Sequence, residues 1–301
     1  MKTACPKEIS IVVGNYPHTL ALKEGRIQND KVKLHFTEFT PVRKAFAPMA
    51  QSQPFDVCEM AIVTFFQALD AGKPLRLLPV STVGFFHHGS LWYDPEKGPL
   101  EPGELKGKRI GVRAYTQTTG MWVRGMLLEQ FGVPSTQVTW VTTEGSHVAG
   151  FAEPANVVRV RGDPTMAQLL HSGQAAAAIM GKEHGDPTLR QVVADPERAA
   201  AAWQEKHQSV MVNHMVAVTE EFARQDPDAA MAVYEMFRKS YEANPPKQGD
   251  PGTAGVKLGI DTIWNSLEAA MAYSVEQKLI SRVFDKREIF PSVVLEAEGR
   301  L

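Results

Sequence analysis

The side chains best equipped for chemistry in this sequence are its histidines, one acidic residue on an apolar run, and a threonine-rich turn. Nine histidines are present. Imidazole is the side chain whose ordinary pKa lies nearest neutral pH, so each is a candidate proton donor or acceptor. His88 follows the buried-looking run "LRLLPVST" (75–82) and precedes "GSLWY" (89–93). His87 and His88 are adjacent, so on extended backbone they face opposite ways and only one enters a given cavity. His214 lies inside "VMVNHMVAV", where an imidazole is costly to bury unless it is hydrogen-bonded. Each is either an acid–base group or a satisfied structural histidine. His18, in "GNYPHT", is either a ligand contact at a loop tip or a plain turn residue, and His147 stands likewise. His35, His171, His184 and His207 read as surface or structural. Glu59, in "FDVCEMAIV", either orients a histidine and accepts a hydroxyl proton or pairs within its own lobe, and Thr64 follows on the same wall.

The second candidate is "RIGVRAYTQTTGMWVRG" (109–125), where an apolar strand runs into hydroxyls and then into a helix. The first backbone N–H groups of a helix have no internal partner, and the helix dipole favours an anion there. Tyr115, Thr116, Thr118 and Thr119 add hydroxyls, and Arg113 presents a planar fork to a carboxylate. The corner suits a small carboxylate or phosphate; the alternative is that Thr118 is an N-cap and Arg113 a solvated charge. Trp122, one turn into the helix, either stacks on an aromatic ring or packs in the core. No Walker sequence and no Gly-x-Gly-x-x-Gly is present, which disfavours a nucleotide. No helical His-x-x-x-His or His-Glu-x-x-His is present either, so no metal is expected, although His18, His88 and His214 make a conceivable ligand set. Ser90 and Ser146 lack a nucleophile elbow.

The elements that must position these groups follow from periodicity. Strand-like runs at 8–14, 31–39, 55–63, 75–82 and 89–93 alternate with helical patterns near 41–53 and 62–71. "PEKGPLEPGELKGK" (95–108) reads as a surface connection. A second set follows: strand 108–114, helix 118–131, strands 137–143 and 156–161, helix 165–172 and strand 175–180. Met121, Leu128 and Phe131, with Gly125 between, make one face of that first helix. After a polar stretch (182–208) the apolar strand "SVMVNHMVAV" returns, and two long helices follow, one starting at Asp226-Pro227. The expectation is an α/β protein of two lobes enclosing a cleft, with a mainly parallel sheet in each. Lobe I takes 1–94 and 213–301, lobe II takes 107–208, and hinges lie near 95–106 and 209–212. Ligands of open α/β sheets sit beyond the carboxyl ends of strands.

Bulk properties agree. The chain has 301 residues, 44% hydrophobic composition and a formal net charge of −2. That is enough for two cores and carries no basic footprint for nucleic acid. Cys5 and Cys58 give no disulfide framework, and Cys58 reads as a small buried residue. The only early apolar run, Ile9 to Val13, is too short for a leader, and no segment reaches the roughly 20 apolar residues of a membrane span. A cytoplasmic location is expected, with no membrane partner; a homo-oligomer is compatible with the sequence.

The stretch "GKRIGVRAYTQTTGMWVRGMLLEQFGV" resembles the segment after the linker in 4,5-dihydroxyphthalate decarboxylases. So do "VGNYPHTLALKEGRI", "FDVCEMAI", "HHGSLWY", "VNHMVAV" and "LEAAMAYSVEQKLI" with "REIFPS", in the same order over most of the chain. That family resembles type II periplasmic binding proteins, two-lobed clamshells. The resemblance implies an intracellular enzyme that decarboxylates a hydroxylated aromatic acid with no organic cofactor. It implies His88 and His214 as proton-transfer candidates, and Glu59 matches a Glu of the family. Five positions depart from the family pattern. His18 stands where an Arg is usual, His87-His88 replaces Arg-His, Ile263-Trp264 replaces Asn-Arg, and Arg113 stands where the family has an uncharged or acidic residue. Phthalates carry two carboxylates that several Arg can serve. Fewer Arg here point to a substrate with one carboxylate or a different, even heteroaromatic, ring, with Trp264 narrowing the pocket or simply packing.

Removing CO₂ from an aromatic ring leaves an electron pair on the ring carbon. The easy route protonates that carbon first, while a ring hydroxyl supplies electrons. Such a reaction needs an acid near neutral pKa, a clamp for the carboxylate and a partner for the hydroxyl. The expected assignment is His88 or His214 as proton donor, Glu59 and His18 assisting, and Arg113, Thr118 and Thr119 on the carboxylate. The rival is a solute-binding protein for a small aromatic carboxylate in an ABC-type uptake system, with the same clamp and no chemistry. Fold does not decide between them.

Overall fold

A computed structural model describes residues 5–181, 184–247 and 255–300. In chain order its elements begin with β1 (Lys7–Val12), α1 (Pro17–Lys23), β2 (Val32–Phe36), α2 (Phe46–Ser52), β3 (Val57–Ala61), α3 (Ile62–Asp70), β4 (Leu75–Gly84) and β5 (Leu91–Tyr93). They continue with β6 (Arg109–Val112), α4 (Thr118–Phe131), β7 (Thr139–Thr142), β8 (Val157–Arg159), α5 (Met166–His171), β9 (Ala177–Ile179), β10 (Arg190–Gln191) and α6 (Pro196–His207). The last are β11 (Val212–Thr219), α7 (Glu220–Gln225), α8 (Pro227–Ala243), α9 (Ile260–Glu276), α10 (Lys286–Ile289) and α11 (Ser292–Ala297).

The chain divides into two compact units. The first comprises Met1–Phe85, Val212–Glu268 and Arg282–Leu301; the second comprises Phe86–Met211 and Ala269–Ser281. The second unit thus starts earlier than the expected hinge at 95–106. The physical reason is β5, which belongs to the second sheet through antiparallel pairing with β9 and β10. Likewise the end of α9 and the residues after it, including Tyr273 and Gln277, belong to the second unit.

The first sheet has the order β2-β1-β3-β11-β4. β1 pairs parallel with β2 and β3, whereas β11 inserts antiparallel between β3 and β4. The second sheet has the order β10-β5-β9-β6-β7-β8. Parallel pairing runs from β9 through β6 and β7 to β8, and the two short strands at the other edge are antiparallel. β3 sits inside the first sheet, so all of Val57 to Met60 is buried, and its run is apolar except for Glu59.

Helix α4 spans the 118–131 expected of it and stops at Gly132, whose φ of 65° is the left-handed conformation that ends helices. Its burial differs from the expected single stripe. From Thr118 to Leu127 every residue but Thr119 is buried, while Leu128 and Phe131 are only partly covered. A helix apolar on all sides is one enclosed by its unit. α8 begins as expected, with Pro227 in its first turn and the Asp226 carboxylate accepting from the Ala229 N–H at 3.0 Å. The stretch 182–208 contains α6, which the sequence reading leaves as polar chain; the helix buries only Ala200 and Trp203, so its apolar signal is weak. No helix among the described residues is long and apolar enough to cross a membrane.

Candidate functional site

In the first unit, β3 carries Glu59 and the neighbouring β11 carries His214. Val216 lies directly opposite Glu59, and His214 opposite Ala61, so Glu59 and His214 are diagonal neighbours on one face of the sheet. On its other side β11 loses regular register with β4 around His214, a local irregularity that re-aims side chains. The Glu59 carboxylate is wholly buried, 0% exposed. Its Oε1 accepts from His214 Nδ1 at 2.7 Å and from the Tyr16 hydroxyl at 2.7 Å. Its Oε2 accepts from the Gly14 N–H at 2.8 Å. Burial is the largest influence on this carboxyl and by itself would raise its pKa. The hydrogen bond and charge of His214, with Gly14 and Tyr16, outweigh it and hold the pKa below the ordinary carboxylate value. Burial, then the charge of Glu59, pushes the Tyr16 hydroxyl far up, so Tyr16 stays a neutral donor.

This geometry fixes His214. Its Nδ1 carries the proton that Glu59 accepts, the ring meets Phe46 edge-on at 5.0 Å, and the side chain is 20% exposed. Its Nε2 has no hydrogen-bond partner among the described residues. A carboxylate behind one ring nitrogen orients the imidazole and leaves the other nitrogen for proton transfer. His18 joins the same cluster indirectly. It sits in the first turn of α1, buried, with its ring stacked parallel on Tyr16 at 5.3 Å. Thr64 is buried in the first turn of α3. Trp264 is half-buried on α9, against Phe290 at 6.4 Å and beneath the Lys286 ammonium at 4.9 Å.

His88 lies in the second unit, also buried. The Gln130 amide donates to the Ala199 carbonyl at 2.8 Å, which leaves Gln130 Oε1 to accept from His88 Nε2 at 2.9 Å. His88 Nδ1 is buried without a hydrogen-bond partner among the described residues. Burial lowers the His88 pKa against the opposing effects of Gln130 and Glu129, so this imidazole is held neutral. Nearby, Glu129 accepts from His207 Nε2 at 2.9 Å and from the Tyr273 hydroxyl at 2.8 Å, and Tyr273 accepts from the Trp203 indole at 3.0 Å. Trp122 is buried in this group, edge-on to Trp203 at 5.7 Å and to Tyr273 at 5.8 Å. Elsewhere in the unit, His171 is held between Asp94 and Asp186. Among the described residues no three His, Cys, Asp or Glu side chains converge as metal ligands would.

The threonine-rich turn also belongs to the second unit. The N-cap of α4 is Gln117, not Thr118, and no side chain caps this helix end. Thr116 and Thr118 are buried and Thr119 is partly exposed. Arg113 is held by Glu144, with Nε 3.2 Å from the carboxylate, and its carbonyl accepts from the N–H groups of Thr143 and Glu144. Tyr115 is buried, its hydroxyl donating to the Gln277 carbonyl at 3.1 Å. Behind the turn lies Arg124, a fully buried guanidinium.

The structure therefore brings Glu59 and His214 together, with His18 one ring removed. It places His88, Arg113, Tyr115, Thr116, Thr118, Thr119 and Trp122 in the other unit. Sequence reasoning missed Tyr16, Gly14 and Arg124. The signal for Tyr16 was the following Pro17, which forces extended backbone before the helix (φ −124°, ψ 155°) and turns the ring back toward the strand ends. Gly14 is needed because a Cβ there would lie 2.6 Å from the Tyr16 ring. Arg124 was signalled by a lone charge within "GMWVRGML", a run with no polar face.

Two curated relatives are similar to this chain, both named 4,5-dihydroxyphthalate decarboxylase. The protein from Pseudomonas putida is 33% identical over 181 residues, which is 57% of this chain and 69% of that relative. The protein from Comamonas testosteroni is 31% identical over 154 residues, 51% of this chain, and the match spans only 44% of that relative's length. No family model matches the chain. Among solved structures, the periplasmic aliphatic sulphonate binding protein SsuA from Escherichia coli superposes with a TM-score of 0.58 at 12% identity, covering 96% of this chain and 99% of its own. A mutant of DSZB in complex with biphenyl-2-sulfinic acid gives 0.56 at 14% identity, covering 98% and 100%. At such identities the likeness is one of fold: this chain has the periplasmic-binding-protein-like α/β fold.

Proposed function

The chain belongs to the 4,5-dihydroxyphthalate decarboxylase family, and we propose that it removes CO₂ from a hydroxylated aromatic or heteroaromatic carboxylic acid, with His214 as the proton donor. The observation that carries this reading is the wholly buried Glu59 carboxylate 2.7 Å from His214 Nδ1. Protonated His214 presents Nε2–H outward while Glu59 balances its charge from behind. A ring hydroxyl pushes electrons into the ring as the carbon bearing the carboxylate takes the proton. The bond from that carbon to the carboxylate then breaks, its electron pair restores the aromatic ring, and CO₂ leaves. Water reprotonates His214. Glu59 remains ionised throughout, consistent with a carboxyl pKa held below its ordinary value. His88, buried and held neutral on Gln130, is the weaker candidate. Separately, the second unit's turn ahead of α4 is proposed as a place for an anionic group, with Thr118 and Thr119 as donors and Arg113, held by Glu144, having to exchange partners to join them.

The test is CO₂ release from a panel of hydroxybenzoates, dihydroxyphthalates and hydroxypyridine carboxylates, comparing the unmodified protein with His214→Gln. A positioned acid contributes about 10²–10⁴-fold, and turnover per folded molecule of the variant should fall by that order, with a lower melting temperature because Glu59 loses its counter-charge. Full turnover in the variant removes His214 from the role. The likeness to a sulphonate-binding protein supports a second reading, a non-catalytic binder of a small aromatic carboxylate. Saturable binding across the panel with no CO₂ from any member would select it.

A further inference from the structure

Arg124 is the most unusual charge in the second unit. Its guanidinium is fully buried. Nε donates to Gln277 Oε1 at 2.7 Å and Nη2 donates to the Tyr115 carbonyl at 2.7 Å, both neutral acceptors. The Tyr115 ring lies 4.1 Å from the guanidinium carbon and the Trp140 ring 5.2 Å. Nη1 is buried with no hydrogen-bond partner, and no carboxylate lies within ion-pair distance, among the described residues. Burial lowers the pKa to about 10, with Tyr115 and Glu276 opposing, so the group keeps its charge at neutral pH. A buried charge without a counter-ion is among the most expensive features a fold can carry.

Its place gives the charge a use. Gly120 is in the first turn of α4, and a Cβ on it would sit 3.1 Å from Arg124 Nη1. The guanidinium therefore lies against the first turn of α4, whose end carries no side-chain cap. Arg113, the cation on the outer side of the turn, is already held by Glu144.

We propose that Arg124 is the positioning residue of an oxyanion subsite at the N-terminus of α4, one that takes a carboxylate-class ligand group. It acts through the Tyr115 carbonyl, which fixes the turn, and through a charge that no carboxylate contacts directly, Glu276 acting on it only from beyond ion-pair distance. A preorganised charge in a water-poor setting acts on an anion more strongly than the same charge in water. The identity of that anion as a substrate carboxylate rests on the decarboxylase reading; the subsite itself does not.

The experiment measures binding of benzoate and of inorganic sulfate by calorimetry, alongside melting temperature, for the full chain and three variants. Arg124→Met should raise the benzoate dissociation constant about 10-fold or more, the scale of about 1.4 kcal/mol. Arg124→Lys should recover most of that loss. Gln277→Glu keeps an acceptor for Nε and supplies a contacting counter-charge, at the cost of the Gln277 amide's donation to the Met121 carbonyl at 3.0 Å; it should weaken benzoate comparably. For an accepted substrate, KM should rise several-fold more than kcat falls. The proposal is overturned if the unmodified protein binds neither probe. It is equally overturned if Gln277→Glu leaves affinity unchanged, or if Arg124→Met lowers only the melting temperature. Should Arg124→Met fail to fold, Arg124→Lys and Gln277→Glu decide. Absence of CO₂ release with affinity still tracking the charge would sink the decarboxylase reading and leave the subsite standing.

Discussion

The two units bury charge in opposite ways. Glu59 in the first has three donors around two oxygens, one of them the histidine whose protonated form it balances. Arg124 in the second has neutral acceptors, two aromatic faces and one nitrogen with nothing to bond among the described residues. A buried ion with its counter-charge in place is electrostatically closed, and what it offers a ligand is a single oriented proton. A buried ion without one is open, and what it offers is attraction. The contrast separates proton transfer from anion binding, and each half can be broken alone.

The largest effect is expected from Glu59→Gln, which keeps the shape of the side chain and removes its charge. Turnover should fall about 10²-fold or more as His214 loses the carboxylate that orients its ring. Anion affinity, measured with benzoate, should stay near that of the unmodified protein. An equal loss of both would merge the two functions. Intermediate effects should come from two close approaches. Gly14→Ala brings a Cβ to 2.6 Å from the Tyr16 ring, and Gly125→Ala brings one to 2.1 Å from the Tyr273 ring. Each should cost about 1–3 kcal/mol in chemical denaturation. Only the first should also lower turnover of the folded fraction, because only Tyr16 bonds Glu59.

The smallest effect is a difference in pH dependence. Glu59 has a folded pKa below its ordinary 4.5, so its contribution to stability is fully present above about that pH and is lost as pH falls through the lower folded value. His88 has a folded pKa below 6.5, so the unfolded chain takes up its proton first and stability declines as pH drops from about 6.5 toward the lowered value. Urea midpoints between about pH 8 and about pH 3 should therefore fall in two windows. Glu59→Gln should make only the more acidic one shallower, since Asp94, Glu129, Asp186 and Glu288 are also held low and remain; a change confined to the less acidic window would reverse the assignment.

Much of this architecture is readable before any coordinates. Strand 109–112, the Thr-rich turn and helix 118–131 were legible because an apolar run, a hydroxyl cluster and Gly132 are local signals. Glu59 and His214 were each recognisable as out of place in apolar strands. Their pairing was not, because it depends on β11 returning beside β3 from 155 residues away. The same holds for the different settings of His88 and His214: Gln130 and Glu59 make them, and neither adjoins its histidine in sequence. α6 was missed because a helix that buries only Ala200 and Trp203 shows hardly any apolar period. Arg124 was missed because its partner Gln277 lies 153 positions along the chain.

The position of β11 has a consequence for synthesis. This strand lies between β3 and β4, yet it is made only after nearly all of the second unit. On the ribosome, a chain shorter than about 212 residues holds Glu59 with no imidazole to meet it, and the facing borders of β3 and β4 stand unpaired, a template for aggregation. The Glu59–His214 pair is thus a late product of translation. A prematurely terminated chain would lack this pair and be a natural client for chaperones.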